Sequence, residues 1–79
     1  MNDIGPIIEA IEEIKEDVAV PKNVKTKLSG IIGILKEEGD FSLKVNKALS
    51  ELDEIADDTN LQPYTRTQVW NLVSLLEAL

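Results

Sequence analysis

The fold of this chain is decided by residues 4–39, which read IGPIIEAIEEIKEDVAVPKNVKTKLSGIIGILKEEG. Apolar side chains recur there at steps of three and four residues, the spacing that places them on one face of an α-helix. The first stripe is Ile4, Ile7, Ile8, Ile11 and Ile14. The second stripe is Val24, Leu28, Ile31, Ile32 and Leu35. This spacing predicts two amphipathic helices, at about residues 4–17 and 21–38.

Residues at the ends of these stripes indicate where the helices start and stop. Asp3 suits the N-cap of the first helix, because its carboxylate can accept a hydrogen bond from a free backbone N–H group. Pro21 suits the first position of the second helix, where no N–H group is needed. Gly39 suits the residue just after that helix, because glycine adopts the backbone conformation that ends many helices.

The second half of the chain predicts another pair of helices. Asp40 is a candidate N-cap for a third helix at about residues 41–58, and Pro63 opens a fourth helix after a turn at residues 57–60. The third stripe is Phe41, Val45, Ala48, Leu49, Leu52, Ile55 and Ala56. The fourth is Val69, Leu72, Val73, Leu76 and Leu79.

A shift of 41 residues lays the second pair of helices over the first. Apolar positions then coincide, and the polar pair Lys25-Thr26 falls on Arg66-Thr67. Two copies of a hairpin that cannot bury its apolar face alone predict an all-α, antiparallel four-helix bundle. We expect one domain over residues 1–79, with hairpin repeats at about 4–38 and 41–79. The alternative is a chance alignment of two amphipathic hairpins.

Length and charge narrow the functional classes. A chain of 79 residues is short for a domain, and its net charge of −7 repels nucleic-acid phosphates unless basic residues are segregated. No apolar run approaches the ~20 residues that cross a bilayer, and the start lacks the basic flank of a signal peptide. We therefore expect a cytoplasmic protein with no membrane association.

Enzymatic chemistry is poorly supplied, because the chain has no cysteine and no histidine. A di-iron bundle needs inward carboxylates and a Glu-x-x-His motif, whereas the acidic residues here fall outside the apolar stripes. We expect no catalytic residue, no metal and no cofactor. The alternative is a metal-dependent enzyme that uses carboxylates on the first and third helices, among them Glu9, Glu12, Glu13, Glu16, Glu51, Asp53, Glu54, Asp57 and Asp58.

One end of the predicted bundle collects basic residues. They are Lys22, Lys25, Lys27 and Arg66, near the starts of the second and fourth helices. Free backbone N–H groups in a first turn already favour anions. Two interpretations are open: these cations pair with acidic residues at the same end, such as Asp17 and Asp58, or they contact phosphate or an acidic partner.

The fourth helix carries two sets of residues outside its apolar stripe. Trp70 lies at the edge of the stripe, one turn after Arg66, where a cation-π pair would be worth ~0.5–1 kcal/mol. Trp70 either covers the core or anchors a partner. On the opposite flank a second strip is formed by Tyr64, Gln68, Asn71 and Leu75.

The second helix carries the matching features. Ile34 aligns with Leu75 in the repeat, and Gly30 and Gly33 lie near it inside the helix, where each glycine costs ~1 kcal/mol relative to alanine. A close approach of another helix, within the bundle or from a second copy, would compensate. We therefore predict an interaction or structural module that binds a protein partner or itself through the flank containing Gly30, Gly33, Ile34 and Leu75. The alternative is an accessory subunit of a nucleic-acid or ribonucleoprotein machine.

Three segments of the chain resemble a small archaeal family, uncharacterised protein family 0147. They are PYTRTQVWNLV at residues 63–73, LDEIADD at 52–58 and VPKN at 20–23, and the most specific part is the Thr-Arg-Thr-Gln-x-Trp-Asn run at 65–71. The resemblance implies a compact all-helical bundle and an archaeal, intracellular source. It implies no activity, and it carries over no catalytic residue.

Overall fold

The protein is represented by a computed structural model, and residues 4–79 are the part that it describes. Those residues form the predicted helices and contain no strand. The helices are α1 (Gly5–Glu16), α2 (Lys22–Lys36), α3 (Phe41–Ala56) and α4 (Pro63–Glu77). Each helix packs on its neighbours in the chain, α1 also packs on α4, and the diagonal pairs make no contact. This closed ring is an antiparallel four-helix bundle, with extents of 34 × 19 × 18 Å.

The apolar stripes of the four helices meet in one core. Each helix supplies a nearly inaccessible side chain to its centre, such as Ile11, Leu28, Leu52 and Leu72. The whole α2 stripe is buried, as predicted, whereas Ile4, Ile8, Val45 and Leu49 are partly buried and pack against the core. Burial of this kind, at roughly 25 cal/mol per Å² of apolar surface, is the main stabilising contribution to the fold.

Three buried residues lie outside the predicted stripes. Val20 and Leu61 close the core from the turns within the two hairpins, and they occupy equivalent positions in the repeat. Thr65 is only 1% exposed and stands where the first hairpin has the buried Val24. Leu79 was predicted in the fourth stripe, but it lies beyond the end of α4 and is 40% exposed.

Helix ends differ from the predictions by at most two residues. Pro21 occupies the N-cap and not the first helical position, because α2 begins at Lys22. Since α2 ends at Lys36, Gly39 lies further past the helix than predicted, and its φ of +135° turns the chain into α3. Ile4 takes the N-cap position of α1, and Asp3 lies outside the described residues.

The predicted caps of the second hairpin are confirmed. The backbone N–H group of Leu43 donates to Oδ1 of Asp40 at 3.2 Å, so that the carboxylate caps the start of α3. Pro63 occupies the first position of α4. There the missing proline N–H group costs no helical hydrogen bond.

The two hairpins repeat their hydrogen bonds as well as their apolar positions. In the first turn Ala19 donates its N–H group to Oδ1 of Asp17 at 2.9 Å, and in the second turn Asn60 donates to Oδ1 of Asp58 at 2.8 Å. The paired threonines match too, because Thr26 and Thr67 each donate the hydroxyl to the carbonyl four residues earlier, both at 3.1 Å. Such polar agreement is not required of two unrelated amphipathic hairpins.

Candidate interaction surface

Arg66, one of the predicted basic contacts, is tied to the backbone at the end of α3. Its Nε donates to the carbonyl oxygen of Ala56 at 3.0 Å, and its Nη2 donates to that of Asp58 at 2.9 Å. The last carbonyls of a helix have no partner within the helix, so this guanidinium supplies one from α4. Hydrogen bonds from a charged donor contribute about 1.5–3 kcal/mol, which makes Arg66 a structural residue of the turn.

Ion pairing, one of the two interpretations of the basic end, does not occur there in the described residues. Among residues 4–79, the one ion pair joins Lys15 Nζ to Glu12 Oε2 at 3.9 Å, along the surface of α1. Arg66 donates to the carbonyl oxygen of Asp58 and not to its carboxylate. The carboxylate instead accepts a hydrogen bond from the N–H group of Asn60 within the turn. Asp17 and Asp58 therefore stabilise their turns by accepting hydrogen bonds from backbone N–H groups.

Lys44 has the corresponding role at the end of α2, and the sequence analysis missed it. Its Nζ donates to the carbonyls of Leu35 at 3.3 Å and Glu37 at 2.8 Å. Lys44 is the fourth residue of α3, as Arg66 is the fourth of α4. A cation at the fourth position after a tight turn was the signal that could have revealed both caps.

The other three basic residues of the predicted contact surface lie on α2. Lys22 and Lys27 are exposed, and Lys25 is partly buried at the fourth position of that helix. Since α2 and α4 do not contact each other, Arg66 stands across the bundle from the three lysines. Of the four predicted phosphate contacts, two therefore remain exposed ammonium groups.

The predicted surface of α4 divides into two flanks. Trp70 is 48% exposed and follows Arg66 by one turn, on the flank that adjoins α3. The opposite flank adjoins α1 and carries Tyr64, which is 67% exposed, and Leu75, which is 45% exposed. We call this second set the α4 strip: Tyr64, Gln68, Asn71 and Leu75.

A groove of about 160 Å³ separates the α4 strip from α1. Its lining residues are Ala10, Glu13, Ile14, Gln68, Asn71, Leu72 and Leu75. Oε1 of Gln68 is buried there and has no hydrogen-bond partner. An acceptor removed from water without a donor costs about 1–3 kcal/mol. No sequence pattern predicts this orphan oxygen, because its burial depends on how α1 and α4 pack.

The flank predicted for self-association is not continuous. Ile34 is partly buried on α2, whereas Leu75 lines the groove on α4, and these helices lie on a diagonal of the bundle. Gly30 and Gly33 are exposed, and a Cβ atom at either position would meet nothing within 4 Å. The prediction that another helix of the bundle approaches them closely is therefore wrong.

A second and larger depression, of about 390 Å³, lies between the start of α3 and the end of α4. Phe41, Val45 and Leu49 line one wall, and Leu76 and Leu79 line the other. Phe41 and Leu79 were both predicted as members of the apolar stripes. The ends of these stripes extend past the facing helix, which leaves both side chains partly accessible.

No group of three or more Asp, Glu, His or Cys side chains in residues 4–79 is placed to hold a metal ion. No helix within the same residues is long and apolar enough to span a membrane.

Comparison with protein families places these features in a known group. A family model described as an uncharacterised protein family, UPF0147, matches residues 1–79. The chain belongs to UPF0147. The resemblance seen in the Thr-Arg-Thr-Gln-x-Trp-Asn run is therefore confirmed, and it extends over the full sequence.

Relatives within UPF0147 come from archaea. The chain is 36% identical to a UPF0147 protein of Methanosarcina mazei over 77 residues, covering 96% of this chain and 83% of that protein. It is 38% identical to one of Archaeoglobus fulgidus over 71 residues, covering 90% and 82%. A crystal structure of a UPF0147 protein from Thermoplasma acidophilum matches the fold with a TM-score of 0.89 at 32% identity, covering 95% of this chain and 89% of that one.

Proposed function

We propose that this protein is a single-domain interaction module, which binds a protein partner or a second copy of itself through the α4 strip. The proposal includes no catalytic step and no cofactor, and it places the protein in the cytoplasm. The observation that carries it is that Tyr64 and Leu75 are both exposed on one flank of α4, where Leu75 also lines the groove.

Exposed apolar area on the α4 strip has no role in the fold. The core of α4 is already supplied by Val69, Leu72, Val73 and Leu76, which are all buried. Tyr64 and Leu75 lie outside that set, and tyrosine combines a large apolar ring with a polar hydroxyl, as many interface residues do. Covering these two side chains would bury apolar surface that now faces water.

Trp70 offers a second contact on the α3 side of the same helix. Tryptophan is enriched among the residues that contribute most to binding, and half of this side chain faces solvent.

Binding to nucleic acid remains the alternative, and no observation favours it. Its strongest candidate, Arg66, donates to two carbonyls at the end of α3. The chain also carries a net charge of −7, which opposes approach of a polyanion.

The test compares Leu75→Glu with Ser74→Glu, because both place a new carboxylate on the exposed side of α4 and only the first changes the α4 strip. Sedimentation of the native protein over a range of concentrations measures self-association. Affinity capture from an archaeal lysate measures partner binding. We expect Leu75→Glu to abolish the association and Ser74→Glu to retain it. Loss with both variants, or with neither, would contradict the α4 strip as the binding surface.

A further inference from the structure

We infer that the groove between α1 and α4 receives an arginine side chain of a protein partner. This inference rests on the proposed function and names the chemistry of the partner. It is carried by two residues that line one small groove: Glu13, whose carboxylate is an acceptor, and Gln68, whose buried Oε1 has no hydrogen-bond partner.

The polar groups of the groove require a donor. Gln68 Oε1 and the ionised Glu13 carboxylate are both acceptors, so neither can satisfy the other. No lysine or arginine of this chain lines the groove. Of the nearest basic side chains on the two helices, Lys15 contacts Glu12, and Arg66 is held by carbonyls at the end of α3. The donors that line the groove are the neutral amide groups of Gln68 and Asn71, so a cation for these acceptors has to come from a partner.

The shape of the groove limits that donor to one side chain. Its volume of about 160 Å³ is well below the ~300–1,000 Å³ of sites that enclose a small-molecule ligand. Ala10, Ile14, Leu72 and Leu75 give it an apolar lining. An arginine fits both properties, because its aliphatic stem packs on apolar surface while its guanidinium reaches polar groups at the rim.

Arginine is favoured over lysine by the number of acceptors. A planar guanidinium has five N–H donors in a fixed fork and can bind a carboxylate and an amide oxygen together. An ammonium group is more strongly hydrated and is held as a point charge. The surroundings favour either cation, because Glu9, Glu12 and Glu16 are exposed on α1 and the chain is acidic.

Gln68 itself can respond to the ligand. Its Oε1 is shielded in the free protein, so the amide must turn outward to meet a donor in the groove. Rotation of a terminal amide is not hindered by a steep torsional barrier, because such torsions are broad. The hydrogen bond that is missing in the free state then forms only in the complex, which couples the side chain of Gln68 to binding.

The experiment is an NMR titration of the ¹⁵N-labelled protein with N-acetyl-argininamide. N-acetyl-citrullinamide is the control ligand, because it has nearly the same shape without the charge. We expect saturable shifts of the Gln68 side-chain NH₂ signals and of the Asn71 and Leu75 amides with the arginine compound only. Glu13→Gln should weaken binding about fivefold or more, whereas Glu9→Gln, an equal charge change outside the groove, should weaken it less than twofold.

Two results would overturn the inference. Equal NMR shifts with N-acetyl-citrullinamide and with N-acetyl-argininamide would show that the positive charge has no role. An equal loss of affinity in Glu9→Gln and Glu13→Gln would show that the net charge of the protein, and not the groove, determines binding. If the arginine compound fails while Leu75→Glu still abolishes association, this inference is wrong and the proposed function stands. If Leu75→Glu has no effect, the proposed function itself fails.

Discussion

Arg66 Nε donates to the carbonyl oxygen of Ala56 at 3.0 Å, and this bond joins the first turn of α4 to the last turn of α3. A second bond from the same guanidinium reaches Asp58 within the turn. The turn between these helices is thus held by the side chain of Arg66, which follows the turn in the sequence. Its removal would expose two helix-end carbonyls to competition from water.

Replacing Arg66 with methionine should lower the free energy of unfolding by about 1.5–3 kcal/mol, because two charge-assisted hydrogen bonds are lost. Urea denaturation followed by circular dichroism measures this change. Lys22→Met is the matched control, since it removes the same charge from an exposed position in the first turn of α2. Equal effects of the two substitutions would show that charge alone, and not the cap, is responsible.

Lys44→Met should cost about 1–2 kcal/mol, somewhat less than Arg66→Met, because its bond to Leu35 is longer and its bond to Glu37 is exposed. Lys47→Met, at an exposed position of α3, is the control. The two caps stand at opposite ends of the bundle, so the double variant should lose the sum of the single losses. A strongly non-additive result in urea denaturation would argue against independent caps.

Gln68→Met should raise the free energy of unfolding by about 1 kcal/mol, because the orphan Oε1 is replaced by a group that needs no donor. In a domain of this size the melting temperature would rise by roughly 4–8 °C. Gln62→Met tests an exposed glutamine, which makes no side-chain cap bond, and should change stability by less than about 0.5 kcal/mol. A destabilised Gln68→Met variant would mean that the amide has a structural partner in solution.

Gly30→Ala and Gly33→Ala should each stabilise the monomer by about 1 kcal/mol, because both sites are helical and a Cβ atom there meets nothing within 4 Å. Gly39→Ala should instead destabilise by about 1–3 kcal/mol, because its φ is +135°. Differential scanning calorimetry at low protein concentration distinguishes the two classes. Destabilisation by the helical substitutions, growing with protein concentration, would reveal a second copy packed on α2.

Trp70→Ala should have a small effect on stability, below about 1 kcal/mol, because half of the side chain is already in water. Leu72→Ala, in the core of the same helix, should cost about 2–5 kcal/mol. Thermal unfolding of the two variants gives the comparison. A large loss for Trp70→Ala would place the indole in the structural core and remove it from the candidate contacts.

The bundle could be predicted because its main determinant is periodic. Every residue of the α2 stripe is buried, and the Asp40 cap forms with the residue that helix geometry requires. Helix ends were less predictable, because Pro21 is compatible with the N-cap and with the first turn alike. A local pattern does not distinguish such neighbouring positions.

Caps and grooves could not be predicted, because they depend on distances between helices. Lys44 is an ordinary surface lysine by its position in α3, and only the path of the preceding turn brings it to the carbonyls of Leu35 and Glu37. The orphan oxygen of Gln68 arises in the same way, from the packing of α1 on α4. Helical periodicity predicts that α4 has two flanks, but it does not predict which helix packs beside each flank.

The matching hydrogen bonds at Asp17 and Asp58 have a consequence for the order of the helices along the chain. In this bundle the start of α1 and the end of α4 lie at the same end, just as the end of α2 and the start of α3 do. A circular permutant that runs α3, α4, α1, α2 would therefore keep both turns and both hairpins. The fold therefore depends on the two hairpins and not on their order along the chain.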